Sequence, residues 1–245
     1  MRHSHLSDGR SRFDRRDFCK AAGVAAAAGI VPASLESLVA HADFTKEQRD
    51  KMTPDEIIQQ MKDGNERFRS GKPQHRDPMR EVKATAKGQY PAAIVLSCID
   101  SRVPAELVLD FGIGDIFSGR VAGNVADEYL LGSMEFACKV AGSKVVLVMG
   151  HTACGAVKGA IDDVKLGNLT ALLTKIRPAV EATKFTGERS SKNYAFVDAV
   201  GRTNVSMTIA NIREKSPVLH DLESSGAIKI AGSMYNLETG TVEFL

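Results

Sequence analysis

Two clusters in the 245-residue chain hold side chains able to bind a metal ion together: Cys98-Ile99-Asp100-Ser101-Arg102 and His151-Thr152-Ala153-Cys154. Two thiolates and one imidazole make three protein ligands. A tetrahedral zinc ion then keeps one position for water, which is the ligand count of a catalytic rather than a structural site. Side chains along an extended segment alternate, so Cys98, Asp100 and Arg102 are expected on one side, with Asp100 beside that open position. Arg102 can hold the carboxylate in a charge-assisted pair. Cys154 falls where a helix is expected to begin, and a helix N-terminus favours the ionised thiol. Two plainer readings compete. A buried cysteine is often a small hydrophobe, and Cys98 and Cys154 could form a disulfide in an oxidising compartment. Neither accounts for His151 together with Asp100-Ser101-Arg102, so zinc, one ion per chain, is the favoured reading. Cys138 has no ligand-like neighbour and is read as core.

The elements that position these clusters are legible around them. Ala92 to Ser97 and Lys144 to Met149 are short apolar runs rich in β-branched residues, which predicts two buried parallel strands. Ligands leaving the ends of neighbouring strands meet where open α/β sheets build their sites. Thr53-Pro54-Asp55-Glu56 reads as a helix start, with an N-cap, proline at the first position and acids in the first turn. Ile57, Ile58, Met61 and Phe68 then give that helix an apolar face, expected to lie on a neighbouring subunit. Asp115 to Val121 predicts a further strand. Asp127 to Val140, Leu166 to Thr183 and Tyr194 to Lys215 predict helices, and Ile228-Lys229-Ile230 and Thr241 to Leu245 predict the last strands. This alternation indicates a single α/β domain: a mostly parallel central sheet flanked by helices, with an N-terminal helical arm. Gly150 to Gly155 has the glycine spacing of a phosphate-binding loop, but Ala156 stands where the lysine must be.

The Cys-x-Asp-Ser-Arg and His-x-x-Cys motifs resemble those of the β-class carbonic anhydrases, and the resemblance runs from about Thr53 to Leu245. It implies that Cys98, His151 and Cys154 bind zinc, and that the Asp100–Arg102 dyad orients the zinc-bound water or hydroxide. It further implies reversible hydration of carbon dioxide to bicarbonate and a proton. Other positions are similar to the plant-type branch of the family. Gln89, nine residues before Cys98, matches a glutamine that steadies the substrate. Phe117 matches a phenylalanine of the apolar substrate pocket, and Ala122 a valine there. Phe136 stands where that branch has a pocket tyrosine, so a hydroxyl is missing. Arg120-Val121-Ala122-Gly123-Asn124 resembles the family's Arg-Asn-x-Ala-Asn stretch, departing at Val121 and Gly123. The pocket is expected to be completed across a homodimer or a dimer of dimers. The chain has no tryptophan, so the tryptophan-built bicarbonate switch of some members cannot be assembled.

The N-terminus carries a separate signal. Asp14-Arg15-Arg16-Asp17-Phe18-Cys19-Lys20 resembles a twin-arginine export motif and precedes an alanine-rich run, Ala21 to Val31, stopped by Pro32. That run is too short to span a membrane, which takes about 20 apolar residues. Ala40-His41-Ala42 offers a small-x-small cleavage pattern. The expected organisation is a leader over residues 1–42, read by the export machinery, and a catalytic domain over residues 43–245, working in the periplasm. The whole chain has 32 basic and 30 acidic residues. The leader holds six of those bases and four of the acids, so the remaining chain balances. No basic excess remains there to attract nucleic acid or a membrane surface.

Rival activities share the motifs. A carbon disulfide or carbonyl sulfide hydrolase on the same scaffold could carry the same zinc ligands. A non-catalytic zinc module would instead want a fourth protein ligand. His75 and His220 are candidates for proton transfer by their chemistry alone.

Overall fold

The computed structural model describes residues 44–245. The expected leader, with Cys19 and the cleavage pattern, lies outside the described residues. Short helix α1 (Lys46–Lys51) leads into α2 (Pro54–Arg69) and α3 (Pro78–Thr85). Then come β1 (Ala93–Ser97), α4 (Ala105–Val108), β2 (Ile116–Arg120), α5 (Glu128–Glu135) and β3 (Val145–His151). Helices α6 (Gly155–Ile161), α7 (Gly167–Ala182), α8 (Tyr194–Lys215) and α9 (Pro217–Ser224) precede β4 (Lys229–Tyr235) and β5 (Val242–Phe244).

The sheet runs β2-β1-β3-β4-β5. The first four strands are parallel, and β5 returns antiparallel to β4. Every residue of β1 and of β3 is buried, as strands covered on both faces must be, which is why they read as apolar runs up to Ser97 and His151 at their ends. Alternation sends Ala93 and Val95 to one face and Ile94 and Leu96 to the other, into separate core clusters. The chain winds from β1 outward to β2, then crosses back to place β3 on the other side of β1. The crevice beyond the ends of β1 and β3 is therefore the point where the winding reverses, the usual place for a site in such sheets. The register pairs Ser97 with Met149, so Cys98 and His151 leave the same end of adjacent strands.

Helix α2 starts as its sequence implies: the Thr53 side chain accepts from the Glu56 amide and the Glu56 side chain reaches back, a complete capping box. Its apolar face does not wait for a second subunit. Ile57 and Met61 are wholly buried against Val108, Leu109, Val145 and Leu147 of the same chain, at roughly 1.5–3 kcal/mol for each side chain. Asn65 shows why this helix stays home. Its buried amide donates to the carbonyls of Val108 and Gly240, while its oxygen accepts from the Val242 amide. Gly64 permits the close approach, since a Cβ there would stand 1.9 Å from the Leu109 carbonyl oxygen. On the opposite face, α8 packs across β3 and β4. Among the described residues, no helix is long and apolar enough to cross a membrane.

Candidate metal centre

Cys98 follows the last residue of β1, His151 ends β3, and Cys154 is the N-cap of α6. Their donor atoms all lie within 4.8 Å of one another, and all three side chains are buried. Cys98, Cys138 and Cys154 are free thiols. His151 Nδ1 sits 2.9 Å from the Thr152 carbonyl, which makes Nδ1 the protonated nitrogen and leaves the Nε2 lone pair free. Nε2 is buried without a hydrogen-bond partner. An orphaned imidazole lone pair facing two thiols is what a bound cation would satisfy.

The thiols point the same way. The hydrogen bond with Cys154 pushes the Cys98 thiol well below the usual thiol range against the opposing effect of burial, with His151 and the Gly123 amide assisting. Cys154 is pushed up, first by its bond to Cys98 and then by burial, because a second buried negative charge beside the first is strongly disfavoured. The amides at the start of α6 do lower the Cys154 value, as its helix-end position predicts, but the neighbouring sulfur outweighs them. Two thiolates can share this pocket only around a cation. The donor set fits zinc, whose usual ligands are sulfur and imidazole nitrogen.

Asp100 comes to the centre by a turn, not by the extended alternation expected from the sequence. The Val103 amide donates to the Asp100 carbonyl at 3.0 Å, and the Arg102 amide donates to Asp100 Oδ1 at 3.0 Å. This Asx turn swings the Arg102 guanidinium onto both carboxylate oxygens, at 2.9 and 2.8 Å. Asp100 Oδ2 ends 3.9 Å from His151 Nε2, beside the space the three donors enclose. The Arg102 guanidinium holds the Asp100 carboxyl well below the usual carboxylate range. Arg120 fixes the backbone of the same turn, donating to the carbonyls of Cys98 and Asp100 at 3.0 and 2.6 Å.

The expected pocket residues are divided. Ala122 lies in a 3-10 turn (Ala122–Asn124) directly beside the centre, where the Gly123 amide donates to Cys98 Sγ at 3.3 Å. Phe117 and Phe136 meet edge-on, with ring centres 6.2 Å apart. They line a separate groove of about 630 Å3 with Ile94 and Leu130. Gln89 is exposed and lines a third, shallow cavity with Thr85 and Ile113. Within one chain these three do not converge on the donor triad. Cys138 is buried among Leu131, Met134 and Val146, and burial pushes its thiol up to about 12. His75 is exposed, and His220 faces Asp221 at the surface.

Two supports were not read from the sequence, and both come from α8. Asp198 Oδ1 accepts from the Ala153 amide at 2.8 Å, bracing the turn between His151 and Cys154. Asn204 Nδ2 donates to the Gly123 carbonyl at 2.8 Å. Ala153 has φ 55°, a left-handed conformation uncommon outside glycine.

A family model described as carbonic anhydrase matches residues 93–242. Carbonic anhydrase 2 of Mycobacterium tuberculosis is 35% identical over 186 residues, covering 74% of this chain and 87% of that protein. The carbonic anhydrase of Mycolicibacterium smegmatis is 34% identical over 189 residues, covering 75% and 89%. Among solved structures, the Coccomyxa β-carbonic anhydrase in complex with acetazolamide is similar, with a TM-score of 0.61 and 25% identity. It covers 68% of this chain and 77% of that one.

Proposed function

The chain belongs to the β-class carbonic anhydrase family, and from that premise we propose how its residues perform the reversible hydration of carbon dioxide to bicarbonate and a proton. The observation that carries the reading is the Asp100 carboxylate, forked by Arg102 and set 3.9 Å from a buried, unpartnered imidazole nitrogen. Cys98, His151 and Cys154 hold zinc, which when bound supplies a Lewis acid and makes water a nucleophile near neutral pH.

Asp100 accepts a hydrogen bond from the attacking water and fixes the direction of its lone pair. Arg102 keeps that carboxylate ionised and, by engaging both of its oxygens, would oppose its joining Cys98, His151 and Cys154 as a ligand to the ion. Arg120 holds the turn that carries both groups. Ala122 presents a small apolar wall to the substrate. The intact dyad also favours this reading over a structural zinc module, which would want a fourth protein ligand and has no use for a carboxylate paired with arginine.

Gln89, Phe117 and Phe136 act from a second copy of the chain. Support comes from their position on surfaces away from their own triad, and from Phe136, which is 53% exposed beside the open edge of the sheet. A homodimer or dimer of dimers is therefore the working form. Gln89 and Phe117 favour the plant-type branch, with Ala122 and Phe136 as departures. Residues 1–42 serve as a twin-arginine leader, and residues 43–245 work in the periplasm. The support is Arg15-Arg16 ahead of the Ala21 to Val31 run and the Ala40-His41-Ala42 pattern.

Stopped-flow hydration of carbon dioxide by the zinc-loaded protein, with carbonyl sulfide and carbon disulfide run alongside, tests the activity. Fast hydration with slow turnover of both sulfur compounds is expected. The reverse order would move the chain to the hydrolase reading.

A further inference from the structure

We propose that Asn204 is a positioning residue for the metal centre: through the Gly123 peptide it fixes an N–H···S hydrogen bond on Cys98 and so sets the charge which that sulfur donates. The inference rests on the zinc reading of the Cys98, His151 and Cys154 triad.

The chain of contacts is short and buried throughout. Asn204 is 2% exposed on α8, and its Nδ2 donates to the Gly123 carbonyl at 2.8 Å. The Gly123 amide donates to Cys98 Sγ at 3.3 Å. The backbone between Val121 and Val125 would not hold this shape unaided. Gly123 has φ 70° and Asn124 φ 44°, two successive left-handed residues, of which the asparagine carries a steric cost. Glycine is needed at 123 for space as well as for φ, since a Cβ there would stand 2.5 Å from Ile176 Cδ1. The departure from alanine at this place in the Arg-Asn-x-Ala-Asn stretch therefore has a local reason. A glycine is also the residue least able to keep its own peptide plane oriented. An external donor on its carbonyl supplies that constraint, and Asn204 is that donor.

The consequence is electronic. A hydrogen bond to a ligating sulfur draws charge from it, lowers its donor strength and fixes its direction, and outer-shell groups of this kind change metal affinity by about 10–100-fold. Cys98 receives such a bond from the Gly123 amide of a loop held by Asn204, whereas the amides facing Cys154 belong to the start of α6 itself. Of the two thiolates, it is Cys98 whose donor strength depends on α8.

The test uses the full chain. With cadmium-113 at the site, the Gly123 amide proton should show scalar coupling to the metal through the Cys98 sulfur in a proton–cadmium correlation spectrum. With cobalt(II), Asn204→Leu should shift the sulfur-to-metal charge-transfer band to longer wavelength as the sulfur regains charge, and zinc affinity by chelator competition should fall about tenfold because the lost orientation of Cys98 outweighs that gain. Asn211→Leu is the control. That residue lies two turns further along α8 and makes the same kind of bond, to the Ala126 carbonyl at 3.4 Å, so band and affinity should remain as in the wild type. A merely structural role for Asn204 would not move the band. If Asn204→Leu does not fold, Asn204→Ala replaces it, and the wild-type cadmium spectrum stands independently of either variant. Cadmium bound with no coupling to Gly123, or an Asn204 variant with an unshifted band, overturns the inference alone. A wild-type chain showing no thiolate-to-cadmium absorption overturns the zinc reading and this inference with it.

Discussion

Replacing Asp198 with alanine removes the side chain that holds the Ala153 amide in the turn between His151 and Cys154. The bond at stake is 2.8 Å long, from the Ala153 amide to a carboxylate oxygen, and hydrogen bonds to charged groups contribute about 1.5–3 kcal/mol. The turn it braces holds Ala153 at φ 55°, which costs a residue with a Cβ about 1–2 kcal/mol. The two effects are comparable, so the carboxylate offsets the strain and keeps Cys154 facing His151. Without it the turn relaxes toward φ below zero and the sulfur leaves its place. If the lost energy is expressed fully in metal binding, zinc affinity falls about 10- to 100-fold, at about 1.4 kcal/mol for each factor of ten. Adding Ala153→Gly tests the cause. Glycine adopts φ 55° without the steric cost but loses about 0.5–1 kcal/mol to added backbone freedom. The double variant should recover about two- to fivefold in affinity. Chelator competition on the four proteins of this cycle, each checked for fold by circular dichroism, measures both numbers. Wild-type affinity in Asp198→Ala would refute the bracing role. A double variant no better than Asp198→Ala would show that backbone strain at Ala153 is not what the carboxylate opposes.

The dyad predicts a pH dependence in the metal-free protein. Asp100 is held below its usual range chiefly by the Arg102 guanidinium, so its contribution is present above the unfolded value of about 3.9 and is lost as pH falls through the folded one. Urea midpoints of wild type and Arg102→Ala should differ at pH 7 and converge as the pH is lowered below about 4; a constant gap would contradict the pairing. For the α2 face, Met61→Ala should cost about 2–5 kcal/mol in urea unfolding without changing the oligomeric state. A cost below about 1 kcal/mol, with loss of assembly, would put that face on a partner after all. In the N-terminal segment, Arg15 and Arg16 changed to lysine should hold the protein in the cytoplasm, and exported material should begin at Asp43; periplasmic protein sequenced from Met1 would contradict cleavage.

Much of the centre is legible in the sequence for a physical reason. Strands buried on both faces are mostly apolar, so β1 and β3 stand out as runs, with Cys98 directly after one and His151 closing the other. The start of α2 is equally plain, because capping chemistry is local. Several short helices carry similar local signals that went unread: Thr45 and Gln48 form a capping box before α1, and Asp77-Pro78 and Ser216-Pro217 open α3 and α9. By contrast, α4 has four residues and no side-chain cap, and only its packing defines it. The local turn at Asp100–Val103 was hidden because Cys-x-Asp-x-Arg spacing fits an extended strand as well as an Asx turn. Asp198 and Asn204 could not be found by any local rule. Their bonds span 45 and 81 residues, and an asparagine on a helix gives no sign of which carbonyl it will meet. The face of α2 was misdirected for a related reason: periodicity shows that a face is apolar, not which surface it covers.

On the proposed mechanism, Asp100 orients the water that a metal held by Cys98, His151 and Cys154 would activate. The most direct test of that role is the pre-steady-state rate of carbon dioxide hydration by Asp100→Asn protein whose zinc content has been measured. Zinc at the wild-type level with hydration reduced by about 100-fold or more is the expected result, since general acid–base and positioning groups typically contribute that much. Full zinc with wild-type hydration would contradict the account.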